Sequence, residues 1–174
     1  MRWNTTSRFP VEVQFEDIDG GGVVHHPNYL KYLERARCQA MREIGVPFGE
    51  CLREGIAFVV AEVHAKYLQP LQLSAACVVE TRLIAARKSS LKVLQKIVSP
   101  EKSCDDARTA SDFLKADKQT YFIAQLRLVA VDLKSGKAIS LPENLRMAGG
   151  LPEVDVLARD QTLSDVRLSP FSEL

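Results

Sequence analysis

Between Asn28 and Gly45 the apolar residues recur at helical spacing, whereas before that stretch and for most of the chain after it they recur at strand spacing. A chain with one long helix early and several consecutive strands later has few ways to bury both apolar surfaces. Leu30, Leu33, Ala36 or Arg37, Ala40 and Ile44 share one stripe, and Lys31, Glu34, Arg35, Arg42 and Glu43 fall mostly off it. The pattern predicts a helix of about four turns. Pro27 suits its first turn, and Gly45 with Pro47 supplies the stop.

Upstream, Val11, Val13 and Phe15 alternate with Glu12 and Gln14, which predicts a half-buried strand over Val11–Phe15. Downstream, a short helical piece is expected over Phe48–Arg53. Ala57, Val59, Ala61, Val63, Ala65 and Tyr67 then make an apolar strand face opposite Glu62, His64 and Lys66. Val78–Ala86 and Leu91–Val98 read as a hairpin across Arg87-Lys88-Ser89-Ser90. Gln119–Asp132 continues the sheet, and Lys134–Lys137 turns into a last short strand at Ala138–Leu141. The fold class expected is α+β, a helix packed on an antiparallel sheet.

A length of 174 residues with 46% hydrophobic side chains suits one domain. The expected domain is 1–148, with the polar stretch Ser99–Lys118 as a loop insertion and 149–174 as a C-terminal extension. With 23 basic against 22 acidic residues, no overall field favours nucleic acid or an anionic membrane. Cys38, Cys51, Cys77 and Cys104 have neither paired nor zinc-finger spacing and read as reduced thiols. Met1–Pro10 lacks a signal-peptide core, and no run has the roughly 18 apolar residues of a membrane span, so the cytoplasm is the expected compartment.

The chemistry concentrates between the first strand and the helix. Phe15–Leu30 holds Asp17, Asp19, three consecutive glycines, His25 and His26. A calcium loop is a poor fit, because Gly21 stands where a third oxygen ligand is wanted and Asn28 where a bidentate Glu should be. A nucleotide loop is equally poor, since no Gly-Lys-Ser/Thr follows. Asp17, Asp19, His25 and His26 are metal-ligand types but lack an HxxxH pair. Two readings remain open on the residues alone. In one, Asp17 and Asp19 cap turns, His26 caps a helix and the glycines serve turn geometry. In the other, Asp19 or Asp17 works beside a helix start whose unsatisfied N–H groups and dipole hold an oxyanion. That second arrangement suits acyl transfer to water.

Asp17-Ile18-Asp19-Gly20-Gly21-Gly22-Val23-Val24-His25-His26-Pro27-Asn28-Tyr29-Leu30, followed by Tyr32-Leu33-Glu34-Arg35-Ala36-Arg37, resembles the signature of hotdog-fold acyl-CoA thioesterases, nearest to the 4-hydroxybenzoyl-CoA thioesterase-like, YbgC-type branch. The resemblance runs from about Val11 to Leu145 and takes in Phe58-Val59-Val60, Tyr67, Pro70 and Ser90-Leu91. It implies a long central helix wrapped by a curved antiparallel sheet, homodimers or homotetramers that pair their sheets, and an active site at the dimer interface. It also implies an acyl-CoA substrate, with no metal and no organic cofactor.

Carried over by position, the resemblance makes Asp19 the catalytic carboxylate and His26 its neighbour at the thioester. Gly21, Gly22, Val24 and His25 become the oxyanion and substrate loop, and Arg87, Lys88 and Ser89 the cluster that meets the CoA phosphates. Asp17 is expected to be structural, His64 to lie on a surface or interface, and Glu34 to pair with Arg37 at i+3. An acyl-carrier-protein thioesterase and a non-catalytic acyl-thioester-binding scaffold are the alternatives.

Overall fold

The computed structural model describes residues 6–100, 120–143 and 145. Strand β1 (Ser7–Glu12) leads through a 3-10 turn at Phe15–Asp17 into helix α1 (His26–Glu43) and short helix α2 (Phe48–Arg53). Strands β2 (Ile56–Tyr67), β3 (Ala76–Ala86), β4 (Ser90–Val98) and β5 (Thr120–Asp132) follow. All neighbours pair antiparallel in the order β1-β3-β4-β5-β2. The expected insertion lies outside the described residues beyond position 100, as does the extension over 149–174.

Helix α1 has 18 residues, about 27 Å of axis. It begins two residues earlier than its apolar stripe, because His26 and Pro27 already have helical backbone. It stops where Gly45 takes φ +79°, with the Gly45 N–H donating to the Arg42 carbonyl at 3.0 Å. Its inner face buries Tyr29, Tyr32, Leu33, Ala36, Arg37 and Met41. The first half of this stripe meets Val11, Val79, Ile97, Phe122 and Leu71 in one core cluster. Met41 joins Val46, Cys51, Leu91, Leu128, Ala130 and Leu141 in a second cluster toward the other end of the sheet. Truncating a fully buried member such as Leu33 to Ala costs about 2–5 kcal/mol.

Arg37, one of two residues that fit the stripe, turns inward. Its Nη1 donates to Gln95 Oε1 at 2.9 Å, and Gln95 Nε2 donates to the Leu33 carbonyl (2.9 Å) and to Thr81 Oγ1 (2.8 Å). The expected Glu34–Arg37 ion pair is therefore absent among the described residues, and the exposed Glu34 acts on Arg37 only through its field. Burial, opposed by Glu34, holds the guanidinium below its ordinary pKa.

Three strand expectations change. Val11–Phe15 is not all strand: the Gln14 N–H donates to Asp17 Oδ2 at 3.1 Å, which turns the chain and leaves Phe15 83% exposed. Strand β2 is the sheet edge, and a register shift between Val60 and Glu62 breaks its alternation. Ile56 and Phe58 pack into the second cluster, but Val59, Val60, Val63 and Tyr67 are exposed. The strand anticipated at Ala138–Leu141 contracts to one bridge, Val131 to Ala138. No described helix is long and apolar enough to cross a membrane.

Candidate active site

The loop between β1 and α1 is closed almost wholly by its own main chain. Asp17 is buried; its N–H donates to the Gln14 carbonyl at 3.0 Å, and its carbonyl accepts from the His25 N–H at 2.8 Å and from Asn28 Nδ2 at 3.1 Å. The Tyr32 phenol is raised above its ordinary value, first by burial and then by the neighbouring Asp17 carboxylate.

Asp19 stands differently. Its carboxylate is exposed, and the turn that carries it is shut by Asp19 N–H to Val23 carbonyl (2.9 Å) and Gly22 N–H to Asp19 carbonyl (3.0 Å). The Gly21 N–H donates to Asp19 Oδ1 at 2.8 Å. A Cβ on Gly21 would sit 3.1 Å from that oxygen and displace it by a few tenths of an ångström, and Gly22 holds φ +77°, a backbone conformation that favours glycine. One Asp19 oxygen is thus anchored, and the side chain remains open to a ligand.

The first amides of the helix can be accounted for singly. Val24 N–H donates to the Leu71 carbonyl (2.8 Å), His25 N–H to Asp17, and Asn28 N–H to the His25 carbonyl (2.8 Å). Pro27 has no N–H. With Gly21 and Gly22 committed inside the turn, the His26 N–H makes no hydrogen bond among the described residues. It sits at the first helical position, where the dipole favours negative charge. The His25 and His26 rings are both exposed and meet edge-on, centroids 4.7 Å apart.

Residues distant in sequence brace this start. Tyr29 Oη accepts the Leu71 N–H at 3.1 Å, and Tyr67 Oη donates to the His26 carbonyl at 3.0 Å. Tyr29, Tyr67 and Phe122 pack edge-on or tilted against one another with centroids 4.8 to 5.2 Å apart. Burial raises both Tyr phenols, so both stay protonated at neutral pH. The sequence places Tyr67 on an apolar strand face and among the points of resemblance, without a role at the helix start; its strand-end position before Pro70 is the available signal.

Arg87, Lys88 and Ser89 are not part of this constellation within one chain. They form the β3–β4 turn, where the Ala130 N–H donates to the Ser89 carbonyl at 2.9 Å. Phe122, which touches Tyr67, lies eight residues back along β5, roughly 26 Å at 3.3 Å per residue. Arg87 and Lys88 are exposed there. Among the described residues no three His, Cys, Asp or Glu side chains are grouped to hold a metal ion.

A family model described as the thioesterase-like superfamily matches residues 13–149, a span that opens just before the Asp17–Asp19 loop and contains the whole sheet after it. The chain belongs to the thioesterase-like superfamily. Within it, the acyl-CoA thioester hydrolase YbgC of Escherichia coli O6:H1 is 37% identical over 99 residues, which are 56% of this chain and 74% of that protein. The acyl-CoA thioesterase YbgC of Haemophilus influenzae is 28% identical over 141 residues, 80% of this chain and 91% of the other.

The fold of this thioesterase-family chain is shared with a 1,4-dihydroxy-2-naphthoyl-CoA thioesterase from Synechocystis, at TM-score 0.68 and 18% identity over 82% of this chain and 94% of that one. A DHNA-CoA thioesterase from Staphylococcus aureus superposes at TM-score 0.70 and 16% identity, covering 82% and 87%. The expectation of a hotdog-fold, YbgC-type thioester hydrolase is borne out at the level of the family.

Proposed function

We propose that this chain hydrolyses the thioester of an acyl-coenzyme A to the free acid and CoA, with Asp19 as the reacting carboxylate. The observation that carries the reading is the pairing, in one closed loop, of an exposed, singly anchored Asp19 carboxylate with an unpartnered His26 N–H at a helix start. A thioester oxygen received by that N–H becomes more negative as the acyl carbon is attacked, and a fixed donor at the positive end of a helix stabilises that charge.

Asp19 then attacks the acyl carbon directly, or takes a proton from the water that does. Either route breaks the carbon–sulfur bond and consumes one water. The CoA thiolate leaves and takes up a proton, for which the exposed His26 imidazole is in reach of solvent and site alike. Gly21 and Gly22 keep the carboxylate's turn tight, while Val24 and His25 fix the approach to the helix. No metal or organic cofactor enters this chemistry.

The separation of Asp19 from Arg87, Lys88 and Ser89 supports a site completed by a second subunit. Strand β2 is an edge whose exposed valines suit sheet-to-sheet pairing with another copy, and two-fold pairing of antiparallel edges turns the partner's β3–β4 end toward this chain's catalytic end. In that homodimer, or in a homotetramer built from it, each α1 is wrapped by a continuous curved sheet. The match over 13–149 supports a single domain over 1–148 with 149–174 as an extension. An acyl-CoA substrate is consistent with a cytoplasmic location.

Thiol release from acyl-CoAs of graded chain length, with aromatic acyl-CoAs alongside, tests this reading. Wild type turns over at least one of them, and Asp19→Asn, whose side-chain oxygen can still accept the Gly21 N–H, loses about 10²- to 10⁴-fold in kcat while keeping its melting temperature. Undiminished turnover by Asp19→Asn would overturn the assignment.

A further inference from the structure

His26 is the residue whose N–H is left free, and it is also the residue whose carbonyl receives the Tyr67 hydroxyl, 3.0 Å away and 41 positions along the chain. The peptide unit after His26 has no N–H, because Pro27 follows, so its carbonyl is the only polar main-chain group by which that unit can be gripped. Tyr67 grips it from a ring that meets Tyr29 at 83° and Phe122 at 64°, with centroids 5.2 and 4.8 Å away. A side chain packed against two rings and bonded at its tip has little freedom left.

The same bond is poorly suited to being a stability device. Tyr67 is 42% exposed at the end of an edge strand, where a neutral hydrogen bond exchanged with water contributes little. Its effect is felt where small angular errors matter, at the unbonded amide on the other side of His26. We infer that Tyr67 is a positioning residue for the hydrolysis. Without touching substrate, it holds His26 in the orientation in which its N–H meets the thioester oxygen. This rests on the oxyanion role given to His26 above.

Tyr67→Phe removes the hydroxyl and keeps the packed ring. In the full chain, kcat toward the best acyl-CoA of the panel is expected to fall about tenfold with KM changed by less than about twofold, and the melting temperature is expected to hold. A readout independent of turnover accompanies it. His26 is the only histidine followed by proline, so a carbonyl-¹³C-histidine, ¹⁵N-proline sample gives one coupled carbonyl signal, which belongs to His26. That signal should move upfield in Tyr67→Phe as its hydrogen bond is lost.

An unmoved resonance, or undiminished kcat with a moved one, would overturn the proposal; so would a kcat loss that merely tracks a fall in melting temperature. Asp19→Asn is run in parallel. Full turnover there defeats the active-site reading itself, while the His26 carbonyl signal still decides whether Tyr67 holds this residue.

Discussion

The side-chain amide of Asn28 donates to the main-chain carbonyl of Asp17 at 3.1 Å, across the whole of the loop that carries Asp19. Both residues are buried, and the same carbonyl takes the His25 N–H. Asn28→Ala is therefore expected to lower stability by about 1–2 kcal/mol in urea unfolding. It should also depress kcat, because it loosens the anchor between the carboxylate turn and the helix start. A variant with normal kcat would show that the His25 bond alone sets the loop.

Gln95 satisfies Arg37, Thr81 and the Leu33 carbonyl from a position with no solvent exposure. Gln95→Leu strands a buried guanidinium and is expected to cost about 3–5 kcal/mol. Adding Arg37→Met should recover the part of that loss that comes from the stranded charge, while Thr81 Oγ1 and the Leu33 carbonyl still lack their Gln95 donor. Denaturant midpoints of the two single variants and the double variant check the coupling.

Ser74 holds φ +62°, alone among the described non-glycine residues in that region. Its N–H donates to the Val13 carbonyl, a bond any residue but proline preserves. Ser74→Gly relieves the strain of a Cβ in left-handed backbone, offset by the greater freedom of unfolded glycine, for a net gain of roughly 0.5–1 kcal/mol. Ser74→Ala should show no such gain in a thermal melt.

Burial pushes the Cys77 thiol from 9.0 up to about 12. Cys38, Cys51, Tyr29 and Tyr67 shift in the same direction, burial being the largest cause for each. A raised folded-state pKa means that the unfolded chain releases its proton first as pH rises. Stability is then whole below about pH 9 and falls progressively toward pH 12. Melting temperatures taken across that window should decline, and Cys77→Ala should flatten part of the slope.

If the partner's basic turn completes each site, subunits with Asp19→Asn and subunits with Arg87→Ala plus Lys88→Ala should complement each other when mixed. One of the two sites in a hybrid dimer then holds both functional halves, and mixing should restore up to about half of wild-type kcat/KM per hybrid. No recovery on subunit exchange would return the CoA contacts to a single chain.

The parts of this protein set by neighbours in sequence were legible in it, and the parts set by distant packing were not. Pro27 and Gly45 mark the ends of α1 because the missing N–H and the positive φ are local requirements. The Asp19 turn is likewise written in Gly21 and Gly22. Strand β2, in contrast, alternates like a buried strand, and nothing in Val59 or Val63 announces that the sheet ends there. Arg37 sat on the apolar stripe, but its acceptor Gln95 is 58 residues away. The same holds for Tyr67 and His26, and for the span between Asp19 and Arg87, which depends on which end of the sheet each turn occupies.

The turn that carries Asp19 is closed by bonds between Asp19, Gly21, Gly22 and Val23, within five consecutive residues. An element so self-contained tolerates drift in everything around it. The edge strand, the turn at Arg87 and the walls that meet the acyl group can exchange residues without disturbing the carboxylate. If Asp19 is the reacting carboxylate, choice of substrate is free to wander in a lineage of such proteins while that group keeps its place.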